Sequence, residues 1–185
     1  MGNATGSQIL EIVPDGDVIL VVGPNKTKLR VKSMFLMAAS KPFSAMLGPN
    51  WKEGHDMRCH DGPFELSLPE DDATAMDIIC SVIHLQNDRI PQTLPARDIL
   101  SVAIAADKYD YLNTLRFAEK AWLRKPTAKM ISKDIMLLTA AAYIFGNGTA
   151  FNYFTSGLVL GYHGSYLALS DSELESIIPW KVFSK

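Results

Sequence analysis

The chain has 185 residues and a formal charge of −2, and it is 48% hydrophobic and 21% charged. That is enough apolar material for a core, so disorder by composition is excluded. A dedicated nucleic-acid binder, which normally shows a marked basic excess, is excluded by the charge.

Residues 1–14 read as a flexible N-terminal segment. The opening "MGNATGS" nearly matches a myristoylation signal, but Gly6 stands where Ser or Thr is needed. Asp17 to Val22 is rich in β-branched residues and predicts a strand, and Gly23-Pro24-Asn25 predicts a turn. In the next run Thr27, Leu29 and Val31 alternate with Lys26, Lys28, Arg30 and Lys32. Alternate residues of a strand face opposite ways, so the second strand of a hairpin is expected, with its basic side in water. No glycine-rich loop leads from it into a helix, as a phosphate cradle would require.

Ser33 is the expected N-cap of a helix through Ala39, and Ser40 that of a second helix with Pro42 in its first turn. Residues 51–63 read as a polar loop. Phe64 to Leu68 alternates as a third strand, and Asp71 or Asp72 should cap a helix carrying Met76, Ile79, Cys80 and Ile83 on one side. Asn87-Asp88-Arg89 closes that helix. Further helices are expected from Asp98, from Leu112 to Leu123 with Pro126 as breaker, from Asp134 to Phe145, and from about Ala150 to Leu160. Ser170-Asp171-Ser172-Glu173 has the form of a capping box before Leu174, Ile177 and Ile178. The order predicts an α+β fold: a small sheet with an N-terminal hairpin, flanked by a helical cluster.

From Ile135 to Ser170 there is no Asp, Glu, Lys or Arg. Glycines, Asn152 and His163 interrupt the run before it reaches the roughly 20 apolar residues of a membrane span. Buried helices, or a face covered by a partner, are expected instead. Two cysteines, Cys59 and Cys80, are too few for a disulfide scaffold, and no secretory signal is apparent. An intracellular setting, cytoplasmic and/or nuclear, is therefore expected.

The segments "GDVILVVG", "LRVKSMFLMAASKPFSAMLG", "WKEG", "FELSLPEDDATAMDIICSVIHL" and "ILSVAIAADKYDYLNTLRFAEKAWL" follow one another in that order. Together they resemble the BTB/POZ domain, in particular the short single-module BTB proteins of filamentous fungi. The resemblance spans residues 15–124 and leaves 125–185 as a helical C-terminal extension. Lys32 stands where family members usually carry His. The resemblance implies a non-enzymatic module for protein–protein association and oligomerisation, such as a substrate adaptor on a cullin scaffold of a ubiquitin ligase. The alternative it leaves is a corepressor-docking or assembly subunit of a transcriptional complex. It also implies a protein-binding surface. Trp51-Lys52-Glu53 matches the hydrophobic–any–Glu pattern of cullin-binding members, with Met46 and Leu47 beside it and Tyr109 bordering it.

Other constellations are weaker. His55-Asp56 and Cys59-His60 could suggest a metal, but structural zinc needs four ligands, usually as two separated pairs, so a solvated loop is expected. Gly146-Asn147-Gly148 lacks the strand and third glycine of a dinucleotide fingerprint. Glu70-Asp71-Asp72 sits at a helix start, where acids oppose the dipole. His84 reads as a satisfied histidine rather than a base, and no nucleophile–base pattern appears. The expectation is therefore no catalytic residue, no cofactor, no metal and no specific nucleic-acid partner. A small enzyme is the remaining alternative. Trp51 either folds onto the core or is presented to a partner.

Overall fold

Three strands open the chain in the computed structural model, which describes residues 9–125, 130–169 and 172–178. They are β1 (Ile9–Glu11), β2 (Val18–Val22) and β3 (Thr27–Val31). β2 and β3 form the expected antiparallel hairpin, with Leu20 opposite Leu29 and Val18 opposite Val31. β1 runs parallel to β3, pairing Leu10 with Leu29, so the segment up to residue 14 is not wholly flexible. Gly16 lets this entry lie close, because a Cβ there would fall 2.6 Å from the Val31 carbonyl oxygen. β4 (Phe64–Leu68) runs parallel to β2 and completes a mixed sheet in the order β1-β3-β2-β4. Val18, Leu20, Val22, Leu29, Val31, Leu66 and Leu68 are buried, as a two-residue period demands of a half-covered sheet. The coarse α+β class is thus observed.

Between β3 and β4 come α1 (Ser33–Ala39), α2 (Lys41–Met46) and α3 (Lys52–Cys59). The structure corrects two expectations here. Residues 52–59 are helical rather than a polar loop. Lys32, not Ser33, is the N-cap of α1. The capping work passes to Asp17, whose carboxylate accepts from the Ser33 backbone N–H at 2.7 Å and from its Oγ–H at 2.6 Å. The acid just before β2 thereby fastens the hairpin to the start of α1. Ser40 does cap α2, accepting from the Phe43 N–H at 3.1 Å.

After β4, Asp72 caps α4 (Ala73–Ile83), accepting from the Ala75 N–H. A short 3-10 turn, Asn87–Arg89, leads to α5 (Ala96–Lys108). α6 spans Arg116–Trp122, four residues later than expected, because Asp110 turns left-handed (φ 60°) and the chain from Tyr111 to Leu115 forms turns. The extension contributes α7 (Ser132–Ile144), α8 (Gly148–Gly161), a 3-10 turn at Tyr166–Ala168 and α9 (Ser172–Ile177). Ile131, not Asp134, stands at the N-cap of α7. Pro126 and the first half of the capping box at 170–173 lie outside the described residues.

The uncharged segment has two different fates. α7 buries every residue from Met136 to Ala142, consistent with a helix enclosed between α5 on one side and α8 on the other. α8 buries only Ala150, Phe154 and Leu158, a single i, i+4, i+8 stripe, and exposes Tyr153, Val159 and Leu160. Among the described residues, no helix is long and apolar enough to cross a membrane.

Candidate functional site

α2 ends at Met46 with Leu47 as its C-cap, and Gly48-Pro49-Asn50 turns the chain directly into α3. Gly54, in the first turn of α3, lies against the end of α2. A Cβ there would strike the Gly48 carbonyl oxygen and lie 2.5 Å from that of Leu47. Only glycine permits that approach, so the "WKEG" glycine sets how closely α3 seats on α2. Trp51 is the N-cap of α3, with extended backbone (φ −116°, ψ 154°), and its carbonyl receives the His55 N–H. Its indole does not fold back: Trp51 is 57% exposed. Glu53 is half-buried in the first turn, where a carboxylate complements the exposed amides. Met46 is half-buried at the end of α2. An exposed indole and a half-buried carboxylate thus stand together at the head of α3, with a half-buried methionine at the end of the preceding helix. Such a set can bury area against a partner and orient it by hydrogen bonds.

Two residues assigned to this surface lie elsewhere. Leu47 is 1% exposed; it follows Phe43 by one turn and faces the core. Tyr109 is 4% exposed, and its hydroxyl donates to Asp71 Oδ2 at 2.7 Å. Lys108 Nζ donates to the other Asp71 oxygen at 2.7 Å and lies 5.1 Å from the centre of the Tyr109 ring. Asp71 is itself buried, so its charge is met by one cation and one hydroxyl. Burial, with Asp71 beside it, pushes the Tyr109 hydroxyl up well beyond the usual phenol range. The Tyr109 ring lies 4.7 Å from that of Phe43 in α2. The Ala-Ala-Asp-Lys-Tyr end of α5 is therefore a clamp that joins the β4–α4 corner to the underside of α2. It anchors α2, the helix that precedes Trp51 in the chain.

Three of the four cations of the basic run, all but exposed Lys26, are paired with carboxylates. Lys28 pairs with Glu65 on β4, Arg30 with Glu11 on β1 at 3.3 Å, and Lys32 with Asp15 at 2.9 Å. The hydrogen bond from Lys32 holds the Asp15 carboxyl below its usual range. The His55 to His60 cluster lies along α3 and its end. His55 Nδ1 is 4.0 Å from Cys59 Sγ and 3.8 Å from Asp56 Oδ1, all three at the surface or half-exposed. Among the described residues, no group of three or more His, Cys, Asp or Glu is arranged to hold a metal.

His84, the C-cap of α4, is structural. Its Nδ1–H donates to the Cys80 carbonyl at 2.7 Å, and its Nε2 accepts the Lys32 N–H at 2.9 Å. Burial lowers its pKa and favours the neutral ring that these two bonds require. The ring meets Phe35 edge-on at 5.0 Å. Asn147, between Gly146 and Gly148, caps α8 and donates at 3.5 Å to buried Glu119. Burial raises the Glu119 pKa.

Sequence reasoning missed the supporting roles of Gly54, Asp71 and His84. The one signal for Gly54 was a glycine set among polar residues in "WKEG". Asp71 gave no local signal, since its partners lie 37 and 38 residues away, and His84 read as satisfied without its distant partner Lys32, 52 residues back, being visible. No known family model matches the chain, and no curated protein matches it.

Proposed function

We propose that the chain is a non-enzymatic protein-interaction module of BTB/POZ type, and that the ledge of Met46, Trp51 and Glu53 docks a helical partner, with a cullin scaffold as the leading candidate. The observation that carries this reading is Trp51, a large apolar side chain left mostly in water at the head of a helix whose seat is fixed by Gly54. Tryptophan in such a position is a typical binding hot spot. The sheet with its opening hairpin, the α1–α2 helix pair and the clamp at Tyr109 are compatible with the family's pattern. Purified cullin N-terminal region should co-elute with the full chain in gel filtration, and Glu53→Lys should abolish co-elution while leaving the circular dichroism unchanged. Absence of co-elution with the wild type refutes the cullin assignment.

A further inference from the structure

A second apolar surface lies away from the Trp51 ledge, between the end of α4 and α6. α4 ends in a Schellman motif, in which the Gln86 N–H bonds to the Ser81 carbonyl and the Leu85 N–H to that of Val82. The motif puts its C′ residue in the left-handed region, where glycine is strongly favoured, yet that residue is Leu85, at φ 61°. Its side chain is 73% exposed. Across from it, Phe117 on α6 is 86% exposed. Both line a groove of about 480 Å³, together with Ile90, Pro91, Ala121 and Trp122. Trp122 forms a fixed floor, its Nε1–H donating to the Pro91 carbonyl at 2.8 Å. A neighbouring hollow of about 440 Å³ shares Gln92, Ala121 and Trp122 and extends the groove towards Arg124 and Lys125.

The charges around the groove have one dominant sign. Arg116, Lys120, Arg124 and Lys125 are exposed, and among the described residues none lies within ion-pair distance of a carboxylate. Lys120 Nζ stands 5.8 Å from the centre of the Phe117 ring, so charge and apolar surface are adjacent. The one acid on α6, Glu119, is turned inward to Asn147. On the opposite lip Asp88 is exposed, but Arg89 beside it is already paired with Asp77. Outside the described residues the chain's only acid is Asp171, and residues 179–185 carry Lys181 and Lys185, so no such segment of this chain matches the rim.

We propose that this groove docks an acidic amphipathic segment of another protein, with large apolar side chains one helical turn apart entering between Leu85 and Phe117. Asp or Glu residues beside them would meet Lys120, Arg124 and Lys125. The inference does not depend on the Trp51 ledge. A strained, exposed leucine at the lip fits a side chain kept for contact rather than for folding.

The test is selection of a phage-displayed library of 14-residue peptides on the full chain, followed by fluorescence anisotropy of the enriched peptides. Enriched peptides should carry aromatic or aliphatic residues at i and i+3 or i+4, flanked by Asp or Glu. Their binding should weaken about tenfold or more with Phe117→Ser or Lys120→Glu, as loss of a hot spot or a rim charge requires. It should also weaken with added salt and survive Trp51→Ala, which separates this surface from the cullin reading. Leu85→Gly separates contact from folding: it should lower affinity while the melting temperature stays the same or rises. Enrichment of basic or uncharged peptides overturns the proposal, as does equal binding to Phe117→Ser. So does a concentration-dependent dimer in sedimentation velocity that Phe117→Ser dissolves, since the occupant would then be a second copy.

Discussion

Replacing Gly54 by Ala sets two physical effects against each other. In an exposed helix interior, Gly→Ala stabilises by about 0.5–1 kcal/mol, because alanine loses less backbone freedom on folding. At position 54 the added methyl would meet the Gly48 carbonyl and lie 2.5 Å from that of Leu47. Both neighbours are backbone, so α3 or the end of α2 must move, and overpacking of this kind costs about 1–3 kcal/mol. Because both close atoms are backbone, the cost lies in the upper part of that range, about 2–3 kcal/mol, and the net is a destabilisation of about 1–2.5 kcal/mol after the propensity gain is subtracted. At about 2–4 °C per kcal/mol for a chain of this size, the melting temperature should fall by about 2–10 °C. Thermal melts followed by circular dichroism, with Gly157→Ala as an exposed-glycine control, decide the matter. A Cβ at Gly157 meets nothing nearer than 4.0 Å, so that variant should melt at or above the wild type. A Gly54→Ala chain that melts as high as the wild type would show that the close seat of α3 does not exist.

The clamp at Asp71 predicts that Tyr109→Phe loses about 1.5–3 kcal/mol in chemical denaturation, the value of a hydrogen bond to a charged group. Tyr111→Phe should be neutral or stabilising, because that buried hydroxyl, next to Ser40, satisfies hydrogen-bond geometry with no group; equal losses from the two would contradict the assignment. Burial raises the Glu119 pKa, so the stability linked to it is present below the unfolded carboxylate range and lost as pH rises through the raised value. Glu119→Gln should therefore melt higher than the wild type at pH 7.5, and the gap should narrow towards pH 4.5. His84 behaves oppositely: its pKa is lowered, so its contribution is present above about 6.5 and lost as pH falls through the depressed value. His84→Phe should cost about 1–3 kcal/mol at pH 7.5 by orphaning the Lys32 N–H. It should also flatten the fall in melting temperature below pH 6.5, and parallel pH curves would refute this.

Features fixed by neighbours in sequence were readable. The alternation from Thr27 to Val31 gave the hairpin, and Ser40 and Asp72 gave true caps, because a cap bonds to an amide three residues on. β1 was not readable. Its three residues take their register from Arg30 and its neighbours, about twenty positions away. α3 was hidden by its composition: "KEGHDMRC" shows no apolar period, and the helix is held by the contact of Gly54 with α2. Leu47 could have been placed correctly, since it repeats Phe43 after four residues and so shares its inward face. Tyr109 could not, because its partner Asp71 is separated by 38 residues and read only as one acid of a helix start. Core or surface for Trp51 is likewise not legible from its neighbours in sequence; the seat of α3 decides it.

If Trp51 serves a binding surface rather than the core, isothermal titration of the full chain with the cullin N-terminal region, wild type against Trp51→Ala, should show it. The expected result is a saturable heat for the wild type and an affinity lower by about 2 kcal/mol, roughly thirtyfold, for the variant, with the two melting temperatures nearly equal. Equal affinities, or a variant that binds weakly only because it has begun to unfold, would contradict it.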